Sequence, residues 1–169
     1  QDALQQAQEV ITEMVDTLLA EKDVLLHLMS AKSGDDGGYY HALNVTTLAL
    51  MLGREAGLGD AEMRALGLGA LLHDMGKLRV PDEIIEKPGT LNRDERAYIA
   101  RHSYDTYRIL LRIFPDTPIP GWAGSHHENL LGQGYPFRTA AGEIDLETRI
   151  ISVADIFQAL LQDRPYRPR

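Results

Sequence analysis

Two adjacent pairs of residues in this sequence have the side-chain chemistry of metal ligands. His73 and Asp74 follow one another at the end of an apolar helical stretch, and His126 and His127 are followed by Glu128. Two ionisable groups at the end of a buried helix are costly unless they are paired or bind a metal. We therefore treat both pairs as candidate parts of a metal centre.

Three further residues fit the same chemistry. His41 and His102 stand alone on helical segments, and Asp155 lies within an apolar run where a carboxylate is hard to solvate without a buried partner. The remaining histidine, His27, is interpreted as a structural residue, because a lone histidine is more often structural than a ligand. The candidate metal ligands are thus His41, His73, Asp74, His102, His126, His127 and Asp155.

Imidazoles and carboxylates without a thiolate suit Fe, Mn, Zn or Ni. Seven ligands are too many for one ion but suit two ions that share a bridging carboxylate. Such a pair can clamp the attacking and leaving oxygens of a phosphoryl transfer and hold a bridging hydroxide as nucleophile. Spacing alone leaves other interpretations open: a histidine and acid at a helix end, two surface histidines, and an aspartate that acts as a buried cap.

Composition narrows the class of protein. The chain has 169 residues, 44% hydrophobic and 25% charged, which is typical of one globular domain with a real core. Its net charge of −8 and only four lysines argue against a nucleic-acid polymer as partner. The lack of cysteine excludes a disulfide scaffold and a thiolate zinc site, and it fits a cytoplasmic protein. No apolar stretch in this fragment is long enough to span a membrane.

The chain begins at Gln1 without an initiator methionine and ends in Arg-Pro-Arg, so we interpret it as a fragment of a longer protein with an upstream sensory or receiver domain. Residues 1–33 form an amphipathic stretch that we assign as an N-terminal linker or dimerisation helix, and residues 34–169 as the catalytic domain. A helix packed on the domain is the alternative to a homodimer through this segment. The apolar positions of the stretch are Leu4, Ala7, Ile11, Met14, Leu18, Leu25 and Leu28.

Strand signals are scarce, and the pattern predicts an all-α domain. Asp60 and Asn92 are expected to cap two of the helices. Loops are expected around Pro81 and Pro88–Gly89 and over Leu131–Glu143. The spacing predicts helices over Tyr40–Ala56, Asp60–Asp74, Arg93–Phe114, Trp122–Asn129 and Leu146–Gln162.

An ordered set of motifs runs from His41 to Arg167 and covers most of the chain. This set resembles the HD-GYP domain of the HD phosphohydrolase superfamily. The motifs are His73-Asp74-Met75-Gly76-Lys77, Val80-Pro81-Asp82-Glu83-Ile84-Ile85, Lys87-Pro88-Gly89-Thr90-Leu91, His126-His127-Glu128, Gly132-Gln133-Gly134-Tyr135-Pro136, Val153-Ala154-Asp155 and Asp163-Arg164-Pro165-Tyr166-Arg167.

The resemblance implies an all-α HD helical bundle that hydrolyses cyclic di-GMP to pGpG, GMP or both, through a hydroxide activated by two metals. Fe or Mn is the expected metal, with Zn or Ni as alternatives. The family's seven ligand positions fall on the same seven residues chosen above, and Asp74 falls on the bridge between the metals. Gly37 stands where some members have a glutamate that helps to hold a third metal, so we expect two.

Four other residues are candidates for contact with substrate. Lys77 lies one helical turn from His73 and is expected to hold a phosphate oxygen or stabilise the leaving group, which makes it a catalytic candidate with Asp74. By resemblance, Arg164 and Arg167 contact phosphate or guanine, although a basic tail is the alternative. Tyr135 is expected to pack at the edge of the site or to contact a partner protein. The resemblance implies a diguanylate-cyclase-type partner, because this loop is linked with binding of such domains in the family.

The chain also departs from the family pattern at three positions outside the ligand set. Leu131 replaces an aspartate before the Gly-Tyr-Pro loop, Thr106 replaces a glycine, and Gln158 replaces an aspartate. Changes in residues that support ligands commonly reduce activity 10–100-fold. Two alternatives therefore accompany the phosphodiesterase hypothesis: a signalling module of low activity that binds a cyclic dinucleotide or a partner, and an HD phosphohydrolase acting on other nucleotides.

Overall fold

The computed structural model describes residues 2–20 and 37–161, so His27, Arg164 and Arg167 lie outside the described residues. Within those ranges every regular element is helical, which confirms the all-α prediction, and none of the helices is both long and apolar enough to cross a bilayer. The helices are α1 (Asp2–Ala20), α2 (Gly37–Glu55), α3 (Asp60–Leu72), α4 (Asp82–Ile85), α5 (Arg93–Ile113), α6 (Ile119–Gly124) and α7 (Leu146–Leu161), with 3-10 turns at Met75–Arg79 and Ala141–Glu143.

Helix α3 lies at the centre of the bundle and packs against α1, α2, α6 and α7. Its residues Leu66 and Ala70 are fully buried, together with Val45 of α2 and Ile151 of α7. Because α3 is apolar on several sides, its carboxyl end is surrounded by other helices. The residues that follow it, His73 and Asp74, are thereby held inside the protein.

Helix α1 packs on this core. Ile11 and Val15 are almost completely buried in the same cluster as Leu50 and Met63. Four of the apolar positions that suggested a heptad, Leu4, Ala7, Ile11 and Met14, therefore contact the chain's own domain, as in the packed-helix alternative. A division at residue 33 and a homodimer through this segment stay predictions.

The helix boundaries differ from the predicted ones in two places near the metal ligands. Gly59, and not Asp60, is the N-cap of α3, and α3 ends at Leu72, so that His73 is its C-cap. Helix α6 covers Ile119–Gly124 instead of Trp122–Asn129. Proline is tolerated in the first turn of a helix, where its missing N–H is not needed, so Pro120 lies inside α6 and does not delay its start.

Other boundaries agree with the sequence more closely. Asn92 caps α5 as predicted, and its side chain accepts a hydrogen bond from the backbone N–H of Glu95 in a capping box. The loop predicted around Pro81 contains the first 3-10 turn and the four-residue helix α4. These short elements were missed because single helical turns have no detectable periodicity.

The 3-10 turn after Asp74 is fixed against α5 by a very close backbone contact. The N–H of Gly76 donates to the hydroxyl of Thr106 at 2.8 Å, and that hydroxyl donates to the carbonyl of His73 at 2.9 Å. A Cβ on Gly76 would lie 1.9 Å from the carbonyl oxygen of His102. Only glycine therefore allows the turn to approach α5 closely enough for Thr106 to bond both His73 and Gly76.

We predict that Gly76→Ala destabilises the fold by about 1–3 kcal/mol, because the added methyl group must push backbone away from backbone. Urea unfolding followed by circular dichroism measures the change. Gly121→Ala on α6 is the matched control, since its Cβ would have no neighbour within 4 Å. That control is expected to be neutral or slightly stabilising. Equal stabilities for both variants would contradict the prediction.

Candidate metal centre

The structure brings all seven predicted metal ligands together at one end of the bundle. His41 comes from α2, His102 from α5 and Asp155 from α7. The other four, His73, Asp74, His126 and His127, lie in the turns that follow α3 and α6. Ligands from both ends of the sequence are therefore assembled by the packing of α3 against its neighbours.

One group of potential donor atoms consists of His41, His73 and Asp155, whose ligand atoms lie within 4.8 Å of one another. The Nε2 atom of His41 is 3.1 Å from Oδ1 of Asp155, and Nε2 of His73 is 3.9 Å from the same oxygen. Two imidazoles and a carboxylate at this spacing could hold one divalent cation.

A second group of donors consists of His102, His126 and His127. Asp74 lies between these two groups and forms a third, overlapping group with His73 and His126. Its Oδ1 is 3.3 Å from Nε2 of His102, whereas its Oδ2 is 3.5 Å from Nε2 of His73. A carboxylate with its two oxygens directed to separate donor groups has the geometry of a bridging ligand.

Three of the buried histidines are oriented in the same way. The Nδ1–H groups of His73, His102 and His126 each donate to the carbonyl three residues earlier, at 2.7, 2.7 and 2.6 Å. A carbonyl can only accept, so these bonds place the proton on Nδ1 and leave the Nε2 lone pair facing the cluster.

The environment of the Nε2 atom of His73 shows that the cluster fits a cation. This atom is completely buried and has no hydrogen-bond partner among the described residues. A buried lone pair without a donor costs free energy, and a divalent cation at this position would satisfy it. The donor set of imidazoles and carboxylates therefore fits a metal ion.

Burial keeps three of the imidazoles neutral. Desolvation lowers the pKa of His73, lowers that of His126 well below its ordinary value with a further contribution from His127, and lowers the pKa of His127 to about 4. Neutral imidazole is the form that binds a metal, so these residues are ready to act as ligands at neutral pH.

The two aspartates remain ionised despite their burial. Burial alone would raise the pKa of Asp74, but the neighbouring imidazoles of His102 and His73 and the ammonium group of Lys77 outweigh it and place that pKa well below its usual range. The pKa of Asp155 falls to about 2 because the hydrogen bond from His41 outweighs its burial. Both carboxylates can therefore supply negative charge to a cation.

Lys77 and Tyr135 lie at the edge of this cluster. The ammonium group of Lys77 forms an ion pair with Asp74 Oδ2, and the lysine side chain is 44% exposed. The ring of Tyr135 lies 4.8 Å from that of His127, and burial raises the pKa of its hydroxyl to about 12. Both residues line a cleft of about 1170 Å³ whose polar floor includes His41, Asp74, His102, His127 and Asp155.

Glu128 holds the loop that carries Tyr135, a role that sequence reasoning missed. Its buried carboxylate accepts hydrogen bonds from the backbone N–H groups of Phe137, Arg138 and Thr139 at 2.6, 2.9 and 3.0 Å. Gly134 packs directly against the backbone of Glu128. The only signal in the sequence was an acidic residue beside the paired histidines and a few residues before a Gly-rich loop.

The three departures from the family pattern lie away from the ligand atoms. Thr106 supports the turn that carries Asp74, as described above. Leu131 is largely exposed, and its N–H is bonded to the side chain of Asn129. Gln158 is buried on α7. None of these positions removes a donor from the cluster.

Comparison with known proteins finds relatives that are named as cyclic-dinucleotide phosphodiesterases. The chain is 42% identical over 153 residues to 3'3'-cGAMP-specific phosphodiesterase 1 of Vibrio cholerae, with 90% of this chain and 35% of that protein covered. It is 36% identical over 162 residues to cyclic di-GMP phosphodiesterase PA4108 of Pseudomonas aeruginosa, with 95% and 39% covered. The chain thus spans less than half the length of these curated relatives.

A solved structure shares the fold. Bd1817, described as a HDG"Y"P protein from Bdellovibrio bacteriovorus, superposes with a TM-score of 0.77 at 22% identity, covering 90% of this chain and 51% of the other. The family model described as "HD domain" matches residues 13–169. With the histidine–aspartate cluster in place and the Gly-Tyr-Pro loop beside it, the chain belongs to the HD domain family, and its motifs are those of the HD-GYP group within it.

Proposed function

We propose that this chain is the catalytic part of a phosphodiesterase that hydrolyses cyclic di-GMP to pGpG, GMP or both with two divalent metal ions. The observation that carries the proposal is the pair of three-residue donor groups with the Asp74 carboxylate between them. Similarity to cyclic di-GMP phosphodiesterases supports the choice of substrate.

The donor set supports two ions of the Fe or Mn type, with Zn or Ni as alternatives. His41, His73 and Asp155 would hold one ion, His102, His126 and His127 the other, and Asp74 would bridge them. Bound metals supply positive charge for the phosphate oxygens and make water acidic enough to act as a nucleophile. This charge matters in a protein of net charge −8, which otherwise repels an anionic substrate.

The chain's own residues would position the substrate. Lys77 holds the Asp74 carboxylate and is exposed enough for its remaining N–H groups to reach a phosphate oxygen or the leaving oxygen. Tyr135 would pack against the ligand at the edge of the cleft. Arg164 and Arg167, which lie outside the described residues, are proposed to contact phosphate or guanine.

A related cyclic dinucleotide is a second candidate substrate, because the relative with 42% identity is named a 3'3'-cGAMP-specific phosphodiesterase. Both molecules have the same ring of two phosphates and two riboses and differ in one base. The same metal chemistry would cleave either. The cleft of about 1170 Å³ is large enough for a ligand of this size.

The remaining expectations concern the setting of the domain. We propose a cytoplasmic protein with a diguanylate-cyclase-type partner at the loop that contains Tyr135. Exposed apolar side chains on this loop, Leu130, Leu131 and Phe137, support a protein contact there. A homodimer through the N-terminal segment also stays a proposal, since the described part of α1 uses Ile11 and Val15 within its own chain.

The proposed activity is tested by anaerobic purification, loading with Fe(II) or Mn(II), and chromatography of cyclic di-GMP and 3'3'-cGAMP. We expect linear dinucleotide or mononucleotide products and about two metals per chain by elemental analysis. The double variant His73→Ala/Asp74→Ala should give no product. Tight binding of cyclic di-GMP without cleavage, in protein that retains two metals, would instead support the binding-module alternative.

We predict that Asp74→Asn lowers the hydrolysis rate by at least about 10³-fold and reduces the metal content below two per chain. The amide has nearly the same shape, but it lacks the charge and the second acceptor oxygen that a bridging ligand needs. Elemental analysis and the rate are measured on the same sample. Asp94→Asn, at an exposed position early in α5, is the control. Full activity of Asp74→Asn would contradict the bridging role.

We predict that Glu128→Gln loosens the loop of Tyr135 and raises the KM for cyclic di-GMP several-fold with little change in metal content. An amide N–H would face a backbone N–H in place of an acceptor, at a cost of about 1–3 kcal/mol. Faster hydrogen exchange at Phe137, Arg138 and Thr139 reports the loosening. Glu143→Gln, at an exposed position, is the control. Unchanged exchange in Glu128→Gln would refute the anchoring role.

A further inference from the structure

One wall of the cleft carries an acidic side chain that the metal chemistry does not use. Asp82 is the first residue of α4, is exposed, and lines the cleft together with Lys77 and the metal ligands. Within the described residues its carboxylate has no hydrogen-bond or ion-pair partner. The neighbouring Glu83 is also exposed but is not among the residues that line the cleft.

Two exposed apolar side chains that are close to Asp82 in the sequence line the same cleft. Ile85 is three residues further along the single turn of α4 and therefore lies on the same side as Asp82. Leu78, on the preceding 3-10 turn, is 84% exposed, and Ile85 is 47% exposed. Both line the cleft. Apolar side chains left exposed around one polar group are typical of a site that receives a flat, mostly apolar ligand group with one polar edge.

An unpaired carboxylate is unfavourable in a cleft for an anionic substrate unless it faces a hydrogen-bond donor. The phosphates would lie on the floor, near Lys77 and the metal ligands, and a nucleobase would extend toward the wall. Guanine presents two adjacent donors on one edge, N1–H and the 2-amino group, which match the two oxygens of a carboxylate. Adenine has an acceptor at N1 and no 2-amino group, so it would meet the carboxylate with a lone pair.

We propose that Asp82 is a specificity-determining residue that accepts hydrogen bonds from N1–H and the 2-amino group of a guanine in the substrate, while Leu78 and Ile85 contact the face of that base. The inference rests on the proposed function, since it concerns the same cleft. It assigns one guanine of the cyclic dinucleotide to the wall formed by α4. A ligand with two adenines then has no base that fits this wall.

The test compares cyclic di-GMP with cyclic di-AMP in the Mn(II)-loaded protein. We expect the wild type to have a higher kcat/KM for cyclic di-GMP than for cyclic di-AMP. Asp82→Asn should reduce the ratio of these two kcat/KM values by about 10- to 100-fold, the effect of losing one bidentate contact to a base. The change should appear in the KM for cyclic di-GMP, with kcat and metal content preserved. Glu83→Gln, with the same charge change at the next residue, should leave the ratio within about twofold.

A ratio that is unchanged in Asp82→Asn, or altered equally in Glu83→Gln, overturns the assignment. Failure of the proposed function looks different, because the wild type then cleaves neither ligand. In that case the same proteins are titrated with each cyclic dinucleotide by calorimetry, since the ligand is not consumed. A preference for cyclic di-GMP that Asp82→Asn removes supports base reading by Asp82, and no such preference overturns it.

Discussion

The hydrogen bond from histidine Nδ1 to a carbonyl three residues earlier is the interaction on which the metal centre depends. It occurs at His73, His102 and His126, and in each case the accepting carbonyl belongs to a helix. Each bond fixes the ring orientation and the tautomer at once, so each Nε2 lone pair faces the cluster of candidate ligands. Burial keeps the rings of His73 and His126 neutral, and the buried Nε2 of His73, which has no hydrogen-bond partner among the described residues, makes a cation favourable there.

Helix α5 connects this centre to the rest of the fold. Its inner face supplies His102, and the next turn supplies Thr106, whose hydroxyl bonds both ends of the segment from His73 to Gly76. The close approach at Gly76 therefore sets the distance between Asp74 and His102. The Thr106 hydroxyl contributes two buried hydrogen bonds at this contact. It thereby supports the position of the Asp74 carboxylate.

Two acidic residues outside the metal ligands shape the cleft in different ways. Glu128 is buried and satisfied by three backbone N–H groups, so its charge serves to organise a loop. Asp82 is exposed and has no partner within the described residues, so its charge remains available to a ligand. The contrast follows from the number of donors around each carboxylate. The fold thus satisfies one of these carboxylates and leaves the other exposed in the cleft.

The sequence by itself determined the helical class, the approximate positions of the long helices and the seven candidate ligands, because these follow from periodicity and from residue chemistry. It did not determine the short elements at Met75–Arg79 and Asp82–Ile85, the start of α6 at Ile119, or the packing of Ile11 and Val15 on α3. Only the tertiary structure decided that the candidate ligands gather in adjacent donor groups with Asp74 between them, and that Glu128 holds the loop of Tyr135. The reason is physical: periodicity reports the face of a single helix, whereas a metal centre is defined by distances between helices that are far apart in sequence.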